Sequence, residues 1–423
     1  MGIPTHIKKL IASSGVNFLF RILGLGFSFL ITIVITRLFG IDNYGSYALA
    51  FTMAQALAMV FALGIPNALV KIIGNERLNW KQAKKVLLKG IKIVLIIGLI
   101  PFFTIILWHD LFSIHLFSKP HLSPYFLLLA IGLPIMILHE LLLYFFIATQ
   151  NFKKYNWFMF VMPHSIFLVL LLATSFLKWD GAYVFGCYVV AIIITVITEI
   201  FYVFELQPNQ TPSILKSKQL LKISSPMMFS GLLIFLLSWT DTIMLGFYMS
   251  EADVGIYNVA FRLGSIGFLV IVSVSTFITP KISLLYGEKN YSELKRTIQN
   301  ATRLVFLLSI PLFGIIFFGR EFFLKLFGEE VVAGSNALAL ISVGILFSAS
   351  CGNVDQIMNM TGGEKILRNI TLISFVLNVL LNFTFIPKQG LQGAALASLI
   401  TNIVLNIACL FYVKKRLGYY TLI

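Results

Sequence analysis

The sequence is poor in charged residues, and acidic residues are the scarcer kind. Only 12% of the 423 residues are Asp, Glu, Lys or Arg, and 17 acidic residues stand against 32 basic ones. A soluble globular domain carries about 25% charged residues, so this chain lacks much of the polar surface that a soluble fold needs. Apolar residues make up 58%, and the mean hydropathy is +0.92. The composition therefore predicts an integral membrane protein.

Cysteine is also scarce, and the motifs of soluble enzymes are missing. Cys187, Cys351 and Cys409 lie within apolar runs without motif spacing, which favours small core residues over a disulfide or metal site. His139 and Glu140 lack the second histidine of a zinc protease, and residues 361–365 (TGGEK) are too short for a phosphate-binding loop. We therefore predict a protein that is not an enzyme and has no firm metal site. No cofactor is expected, and a coupling ion, Na+ or H+, stays open.

Long apolar runs occur along the whole chain. Windows of about 19 residues identify twelve candidate membrane spans. The first six are 15–38, 46–73, 87–108, 125–149, 157–177 and 182–204, and the second six are 223–247, 255–279, 302–318, 336–360, 370–386 and 391–413. No small-residue cleavage site follows the first run, so we expect it to remain in the protein as a membrane anchor.

Basic residues alternate from loop to loop. Roughly three quarters of them fall on one side of the predicted membrane, which is the pattern of cytoplasmic loops. We therefore predict that both termini and the loop at residues 71–92 are cytoplasmic, with Asp42, Asp180 and Glu251 on the outer side. The net charge of +15 is then a signal of topology, and no nucleic-acid partner is expected.

The two halves of the chain resemble each other at an offset of 210 residues. The matches join Gly45, Tyr47, Ala50 and Phe51 to Gly255, Tyr257, Ala260 and Phe261, and Pro101 to Pro311. An even number of spans per half gives parallel repeats, the arrangement that permits alternating access. The predicted fold is all-α, with about twelve transmembrane helices in two pseudo-symmetric six-helix bundles around a central cavity. The bundles are residues 1–206 and 223–423, joined by a cytoplasmic linker at 207–222.

Three segments resemble the polysaccharide flippase family. They are residues 37–51 (RLFGIDNYGSYALAF), the corresponding second-half residues Asp241, Gly246, Gly255, Tyr257, Ala260 and Arg262, and residues 386–395 (IPKQGLQGAA). The family belongs to the multidrug/oligosaccharidyl-lipid/polysaccharide exporter superfamily. The resemblance implies a multi-pass protein of the bacterial inner membrane that flips polyprenyl-pyrophosphate-linked oligosaccharide to the outer face, for surface polysaccharides such as the O-antigen of lipopolysaccharide. It also implies membrane lipids and the polysaccharide polymerase machinery as partners.

Two other functions stay open at this stage. The first is a cation-coupled multidrug exporter of the same superfamily. Such exporters commonly carry an acidic residue in the first span, whereas here that span has Arg21 and no acid. The second is a membrane polysaccharide polymerase or ligase, which would need large outer loops for its chemistry. The outer loops of this sequence are short.

Deep arginines are the candidate substrate-binding residues. A pyrophosphate headgroup that crosses the bilayer without compensating partners has a desolvation cost of many kcal/mol. Arg offers paired donors to phosphate and keeps its proton. Only Arg21 and Arg262 lie deep within predicted spans, one in each half. We expect them to bind the headgroup, with Arg37 at the outer end of span one and Gln55 near the sugars. The alternative is that both deep arginines only pack within their bundles.

Asp241 is the first candidate for ion coupling. It lies seven residues inside its span, about 10 Å below the membrane surface. A charge at this depth costs about 3 kcal/mol or more unless it is paired, hydrated or used. Two roles stay open: an ion pair with Arg262, or a cation site completed by Asn378 and Asn382.

Three further acidic residues are candidates of the same kind. Glu140 lies at a depth that matches Arg21, which predicts an ion pair within the first bundle. Asp355 makes the cytoplasmic third of span ten polar and indicates a wet face. Glu199, near the end of span six, is expected at the membrane interface.

Overall fold

The computed structural model describes residues 5–75, 78–177, 181, 183–204 and 217–421. All regular secondary structure within these ranges is helical. In the first half the helices are α1 (Thr5–Leu38), α2 (Ile41–Phe61), α3 (Ile65–Asn75), α4 (Trp80–Asp110), α5 (Ser123–Ala148), α6 (Phe152–Asn156), α7 (Met162–Phe176) and α8 (Tyr183–Phe204). A π-helical turn, Trp157–Val161, joins α6 to α7 in the predicted fifth span.

The second half contains eight further helices within the described residues. They are α9 (Ser217–Tyr248), α10 (Glu251–Ser265), α11 (Phe268–Gly287), α12 (Tyr291–Phe318), α13 (Arg320–Lys325), α14 (Ser335–Cys351), α15 (Val354–Met360) and α16 (Glu364–Leu417). The start of α10 is sequence-encoded, because Ser250 and Asp253 form reciprocal capping hydrogen bonds there.

Nine helical segments of the described chain are long and apolar enough to cross a membrane, and ten if the bent pair α10 and α11 is one span. The segment α16 has 54 residues, or about 81 Å, which exceeds one bilayer. Gly390 interrupts it with φ 55° and ψ −128°, so α16 supplies predicted spans eleven and twelve. Helix α9 covers predicted span seven. The all-α integral membrane fold is therefore confirmed.

Glycines break helices that the hydropathy windows treated as continuous. In predicted span two, residues 46–73, helix α2 ends at Phe61. Helix α3 starts only after Leu63 and Gly64, which both have positive φ. A Cβ on Gly64 would lie 2.4 Å from the backbone oxygen of Ser224. Close approach of two backbones therefore requires glycine here. Predicted span eight likewise bends by 43° between α10 and α11.

The chain divides into two compact units, Met1–Leu232 and Leu233–Ile423. In the first unit, α5 packs against α2, α3, α4 and α8, and in the second, α14 packs against α10, α12 and α16. The division lies within α9, because the first turns of that helix pack against the break at Gly64.

Parts of the predicted domain organisation fall on residues outside the described ranges. These parts are positions 207–216 of the predicted linker and the end residues 1–4 and 422–423, whereas residues 217–222 form the start of α9. Asp180, predicted on the outer side, also lies outside these ranges. The domain limits, the central cavity and the cytoplasmic termini stay predictions.

Candidate functional site

Asp241 of α9 is the centre of a buried polar cluster in the second unit. Asp241 is only 2% exposed. Oδ2 accepts hydrogen bonds from the hydroxyl of Tyr257 at 2.6 Å and from the hydroxyl of Ser398. Oδ1 accepts from Asn382 Nδ2 at 2.7 Å and from Asn378 Nδ2 at 3.3 Å. Four neutral groups therefore surround one carboxyl group in the apolar interior.

The sequence places these four partners on two helices, Tyr257 on α10 and the other three on α16. Asn378 and Asn382 are four residues apart on α16 and share one helix face. On a straight helix, Asn382 and Ser398 would be about 24 Å apart, too far to reach the same carboxyl group. The break at Gly390 lies between them and brings both to Asp241. That glycine is therefore part of the architecture of the site.

The cluster fits a hard monovalent cation. The amide oxygen Oδ1 of Asn382 is buried and has no hydrogen-bond partner among the described residues. A buried amide oxygen without a donor is costly unless something else binds it. Hard cations prefer oxygen ligands, and here carboxylate, amide and hydroxyl oxygens from Asp241, Asn382, Tyr257 and Ser398 lie together. A single carboxylate charge matches Na+, and no group of three or more His, Cys, Asp or Glu in the described chain is arranged for a metal.

Arg262 is not among the partners of Asp241. It is half-buried near the end of α10, and the Asp241–Arg262 ion pair is absent from the ion pairs between described residues. The reason is helical phase: Arg262 follows Tyr257 by five residues, a rotation of about 140° around α10. Because Tyr257 faces Asp241, Arg262 points elsewhere. Of the two arrangements that the sequence left open, the structure contains the cluster with Asn378 and Asn382.

The first repeat has no counterpart of this polar cluster. Counting back 210 residues from Asp241, Tyr257, Asn378, Asn382 and Ser398 gives Ile31, Tyr47, Leu168, Leu172 and Tyr188. The geometry is retained, since the rings of Tyr47 and Tyr188 lie 6.1 Å apart in the first unit. The chemistry is not retained, because apolar and aromatic side chains occupy the equivalent positions. The candidate cation site therefore belongs to the second repeat alone.

The other predicted substrate-binding residues lie in the first unit. Arg21 and Arg37 are exposed on α1, about 24 Å apart along the helix axis, and Gln55 is half-buried on α2. Arg21 lies near enough to Tyr155 of α6 to interact with it electrostatically. The substrate roles of Arg21, Arg37, Arg262 and Gln55 stay predictions.

The predicted Arg21–Glu140 ion pair is not among the ion pairs between described residues. Arg21 lies within electrostatic reach of Tyr155 on α6, and Glu140 within that of Tyr144 on α5. Asp355 is exposed at the start of α15 and accepts a hydrogen bond from Gln356 Nε2 at 2.9 Å. Its role at a wet face of span ten stays a prediction.

A second buried polar pair was missed by the sequence reasoning. His139 of α5 and Glu199 of α8 lie 3.0 Å apart between Nδ1 and Oε2, with side-chain exposures of 12% and 0%. Glu199 is therefore buried within the first unit, where α8 packs against α5. Its depth relative to the membrane interface stays a prediction. The sequence does contain a signal for this pair, because a basic and an acidic residue, His139 and Glu199, lie in two apolar spans.

Two family sequence models match the chain. The polysaccharide biosynthesis protein family matches residues 10–285, and the MatE family matches residues 226–384. The first match covers more than half of the chain, whereas the second is confined to the middle and the second repeat.

The chain is similar to two proteins of glycan biosynthesis. The chain is 28% identical over 212 residues to the probable low-salt glycan biosynthesis flippase Agl15 of Haloferax volcanii, covering 48% of this chain and 43% of that protein. It is 24% identical over 402 residues to the capsular polysaccharide biosynthesis protein CapF of Staphylococcus aureus, covering 92% and 95%. The match to Agl15 therefore spans less than half of that flippase, whereas the match to CapF is nearly complete.

One solved structure shows how closely the fold is shared. The inward-facing conformation of a multidrug resistance MATE family transporter superposes with a TM-score of 0.78 at 17% identity, covering 94% of both chains. At this identity the likeness concerns the fold, which is that of a transporter with two six-helix lobes. Taken with the family match over residues 10–285, it shows that the chain belongs to the polysaccharide biosynthesis protein family and is a membrane flippase or transporter of the multidrug/oligosaccharidyl-lipid/polysaccharide superfamily.

Proposed function

We propose that the protein flips a polyprenyl-pyrophosphate-linked oligosaccharide across the cell membrane for surface polysaccharide synthesis. The observation that carries this proposal is the similarity to CapF along 92% of the chain. The name of Agl15 adds a flippase of glycan biosynthesis among the relatives. One name concerns a capsular polysaccharide and the other a glycan flippase, so a lipid-linked glycan is the substrate class that fits them best.

Coupling to Na+ at the Asp241 cluster is the second part of the proposal. An unoccupied, ionised Asp241 would be a buried charge held by four neutral donors, and a bound cation would neutralise it. The cation would join α9, α10 and both halves of α16 within the second unit. A ligand shifts a conformational equilibrium only through its different affinity for the two states. The ligands of this site come from both sides of the Gly390 break, so a conformational change that moves the two parts of α16 would change the affinity for the cation.

The charged headgroup needs donors of its own. Arg21 and Arg262 are the deep arginines of the two repeats, and Arg262 is half-buried on α10. Bidentate hydrogen bonds from guanidinium to phosphate would offset part of the desolvation cost. Arg37 would act at the outer end of α1, and Gln55 would contact sugar hydroxyls.

Multidrug export is the competing function, favoured by the MatE match at residues 226–384 and by the fold of the MATE transporter. The first span argues against it, because Arg21 is the charged residue that α1 carries between residues 19 and 36. A cationic drug would meet a like charge there. A pyrophosphate would meet a complementary one.

Proteoliposomes that contain the full chain distinguish the two functions. A fluorescent polyprenyl-pyrophosphate oligosaccharide is placed in the membrane, and its outward movement is followed by lectin quenching, with and without a Na+ gradient. We expect movement that depends on the gradient, and no export of a cationic dye by the same vesicles. Dye export without movement of the glycolipid would overturn the proposal in favour of multidrug transport.

A further inference from the structure

The His139–Glu199 pair has no role in the proposed mechanism, although it is the most deeply buried ion pair among the described residues. His139 Nδ1 and Glu199 Oε2 are 3.0 Å apart, and the Glu199 side chain is 0% exposed. Both residues lie toward the ends of α5 and α8 that are close to the basic residues Lys84 and Lys154. The pair is therefore in the half of the first unit that the loop charges assign to the cytoplasmic side.

The carboxyl group of Glu199 is poorly stabilised as an anion. Its second oxygen, Oε1, is buried and has no hydrogen-bond partner among the described residues. Asp241, by comparison, accepts four hydrogen bonds. Burial of a charge that has one partner costs several kcal/mol in an apolar interior. The imidazole of His139 is the hydrogen-bond partner of Glu199, so it influences whether the carboxyl group is ionised or neutral.

We propose that His139 and Glu199 form a proton-binding site, separate from the cation site at Asp241. A proton taken from water adds to the pair and converts it from a net charge of −1 to a net charge of zero. In the loaded state the proton is on Oε2 of Glu199, and the carboxylic acid donates a hydrogen bond to Nδ1 of the neutral His139 imidazole. Release returns the same proton to water and leaves the −1 state, so the step is balanced.

The donor set selects a proton over a metal cation. Na+ prefers several oxygen ligands, whereas this pair offers one imidazole nitrogen and one unpartnered carboxylate oxygen. No third His, Cys, Asp or Glu completes a metal-binding group in the described part of the chain. Histidine is the side chain whose charge changes most readily near neutral pH. A proton is therefore the ligand that fits.

Glu140 is the titratable group next to the pair in the chain. It is close enough to His139 to interact with it, and a second carboxyl group makes the −1 state harder to hold. The α-helices packed against α5 and α8, and these two helices themselves, carry further titratable and charged side chains: Asp42, Tyr44 and Tyr47 of α2, Lys71 of α3, Lys81, Lys84, Lys85, Lys89, Lys92, His109 and Asp110 of α4, Tyr125 and Tyr144 of α5, Lys153, Lys154 and Tyr155 of α6, His164 of α7, and Tyr183, Cys187, Tyr188 and Tyr202 of α8.

The repeat indicates that the pair is an addition to the scaffold. Counting forward 210 residues from His139 and Glu199 gives Ala349 and Cys409, both completely buried in the second unit. The fold therefore packs well at these positions without an ion pair. Asp241 shows the reverse case, since its equivalent in the first unit is Ile31. The His139–Glu199 pair and Asp241 thus each belong to one repeat, and the equivalent positions of the other repeat are uncharged.

Proton binding is measured on the purified full-length protein in lipid nanodiscs, without any substrate. The infrared absorption of protonated carboxyl groups is recorded from acidic to alkaline pH. We expect one buried carboxyl band that disappears on alkalinisation, and Glu199→Gln should remove it along with about one titrating proton per chain. A band unchanged by Glu199→Gln, or a Glu199 that keeps one state throughout, would overturn the proposal and leave a purely structural ion pair.

A second variant and a matched control complete the test. His139→Gln keeps Glu199 and should move the midpoint of its titration by about one pH unit or more, a tenfold change in proton affinity. Asp110→Asn alters a similar pair, His109 Nδ1 to Asp110 at 3.1 Å, whose carboxylate is 65% exposed. It should leave the buried band intact. Loss of the band on adding Na+ at constant pH would assign the site to a metal cation and overturn the proposal. Because the assay uses no glycolipid, a failure of the proposed substrate does not affect its outcome.

Discussion

Asn382 donates a hydrogen bond to Asp241 at 2.7 Å, while its own amide oxygen is buried without a partner. The same amide nitrogen also contacts Asn378 Oδ1 at 3.0 Å. One residue thus contributes both a donor to the carboxyl group and an unsatisfied oxygen beside it. A buried amide oxygen without a donor, next to a carboxyl group, is a candidate ligand for a cation. The first prediction therefore concerns Na+ binding at this cluster.

Removing the ligands of Asp241 should remove Na+ binding. Asp241→Asn is expected to abolish it, and Asn382→Ala to weaken it about tenfold or more, because each deletes an oxygen of the cluster. Isothermal titration with NaCl on the purified protein measures the affinity. Asn406→Ala is the matched control: Asn406 bonds Ser348 and Asn402 in the same unit and is far along α16 from Asp241. Equal Na+ affinity in wild type and Asp241→Asn would contradict the cation site.

The two deep arginines should be required for glycan transport. Arg21→Ala and Arg262→Ala are each expected to abolish surface glycan at normal expression, because a pyrophosphate loses a charged donor in a desolvated place. Lys at either position should restore part of the display, since it keeps the charge without the bidentate geometry. Surface labelling of glycan by a lectin is the measurement.

Arg296→Ala provides the control for this series, since Arg296 is an exposed arginine on α12. It should leave glycan display at the wild-type level. Full display by a double Arg21→Ala, Arg262→Ala variant would rule out the phosphate role and leave a packing role for both residues.

Gly64 should be intolerant of a side chain. It has φ 68°, and a Cβ would lie 2.4 Å from the oxygen of Ser224 and 2.7 Å from the nitrogen of Met228. Gly64→Ala is expected to destabilise the protein by about 2 kcal/mol or more, because both the backbone and the packing must shift. Thermal unfolding in detergent gives the difference.

Gly74 offers a comparison in the adjacent helix. It lies in α3 with nothing within 4 Å of the Cβ position. Gly74→Ala should be neutral or stabilising by up to about 1 kcal/mol, since alanine favours the helix. A melting temperature of Gly64→Ala equal to that of Gly74→Ala would show that the α2–α3 break tolerates a side chain.

Cysteine labelling should locate the loops. The three native cysteines are buried, so the background reaction with a membrane-impermeant maleimide is expected to be low. In intact cells, a cysteine at Asp42 or Glu251 should react, and one at Lys81 should react only after permeabilisation, as the charge bias of the loops predicts. Reaction of the Lys81 variant in intact cells would reverse the topology.

Properties that depend on local composition were determined by the sequence alone. Apolar runs long enough for a bilayer, the basic bias of alternate loops and the offset of 210 residues between repeats are all readable without a structure. They predict the all-α membrane fold, since a span must satisfy its own backbone within one helix. Asp241, Asn378 and Asn382 were also found this way, because polar residues are conspicuous in apolar segments.

The partners of those residues were decided only by the tertiary structure. Tyr257 and Arg262 both lie on α10, the helix that follows Asp241 in the chain, and the phase of that helix directs Tyr257 to the carboxyl group. Ser398 reaches the carboxyl group only because Gly390 breaks α16, and hydropathy does not register such a break. His139 and Glu199 are 60 residues apart in the chain. They meet because α5 and α8 bury those particular faces against each other. Which faces of two helices pack depends on side-chain shapes from both, so neither helix specifies the contact by itself.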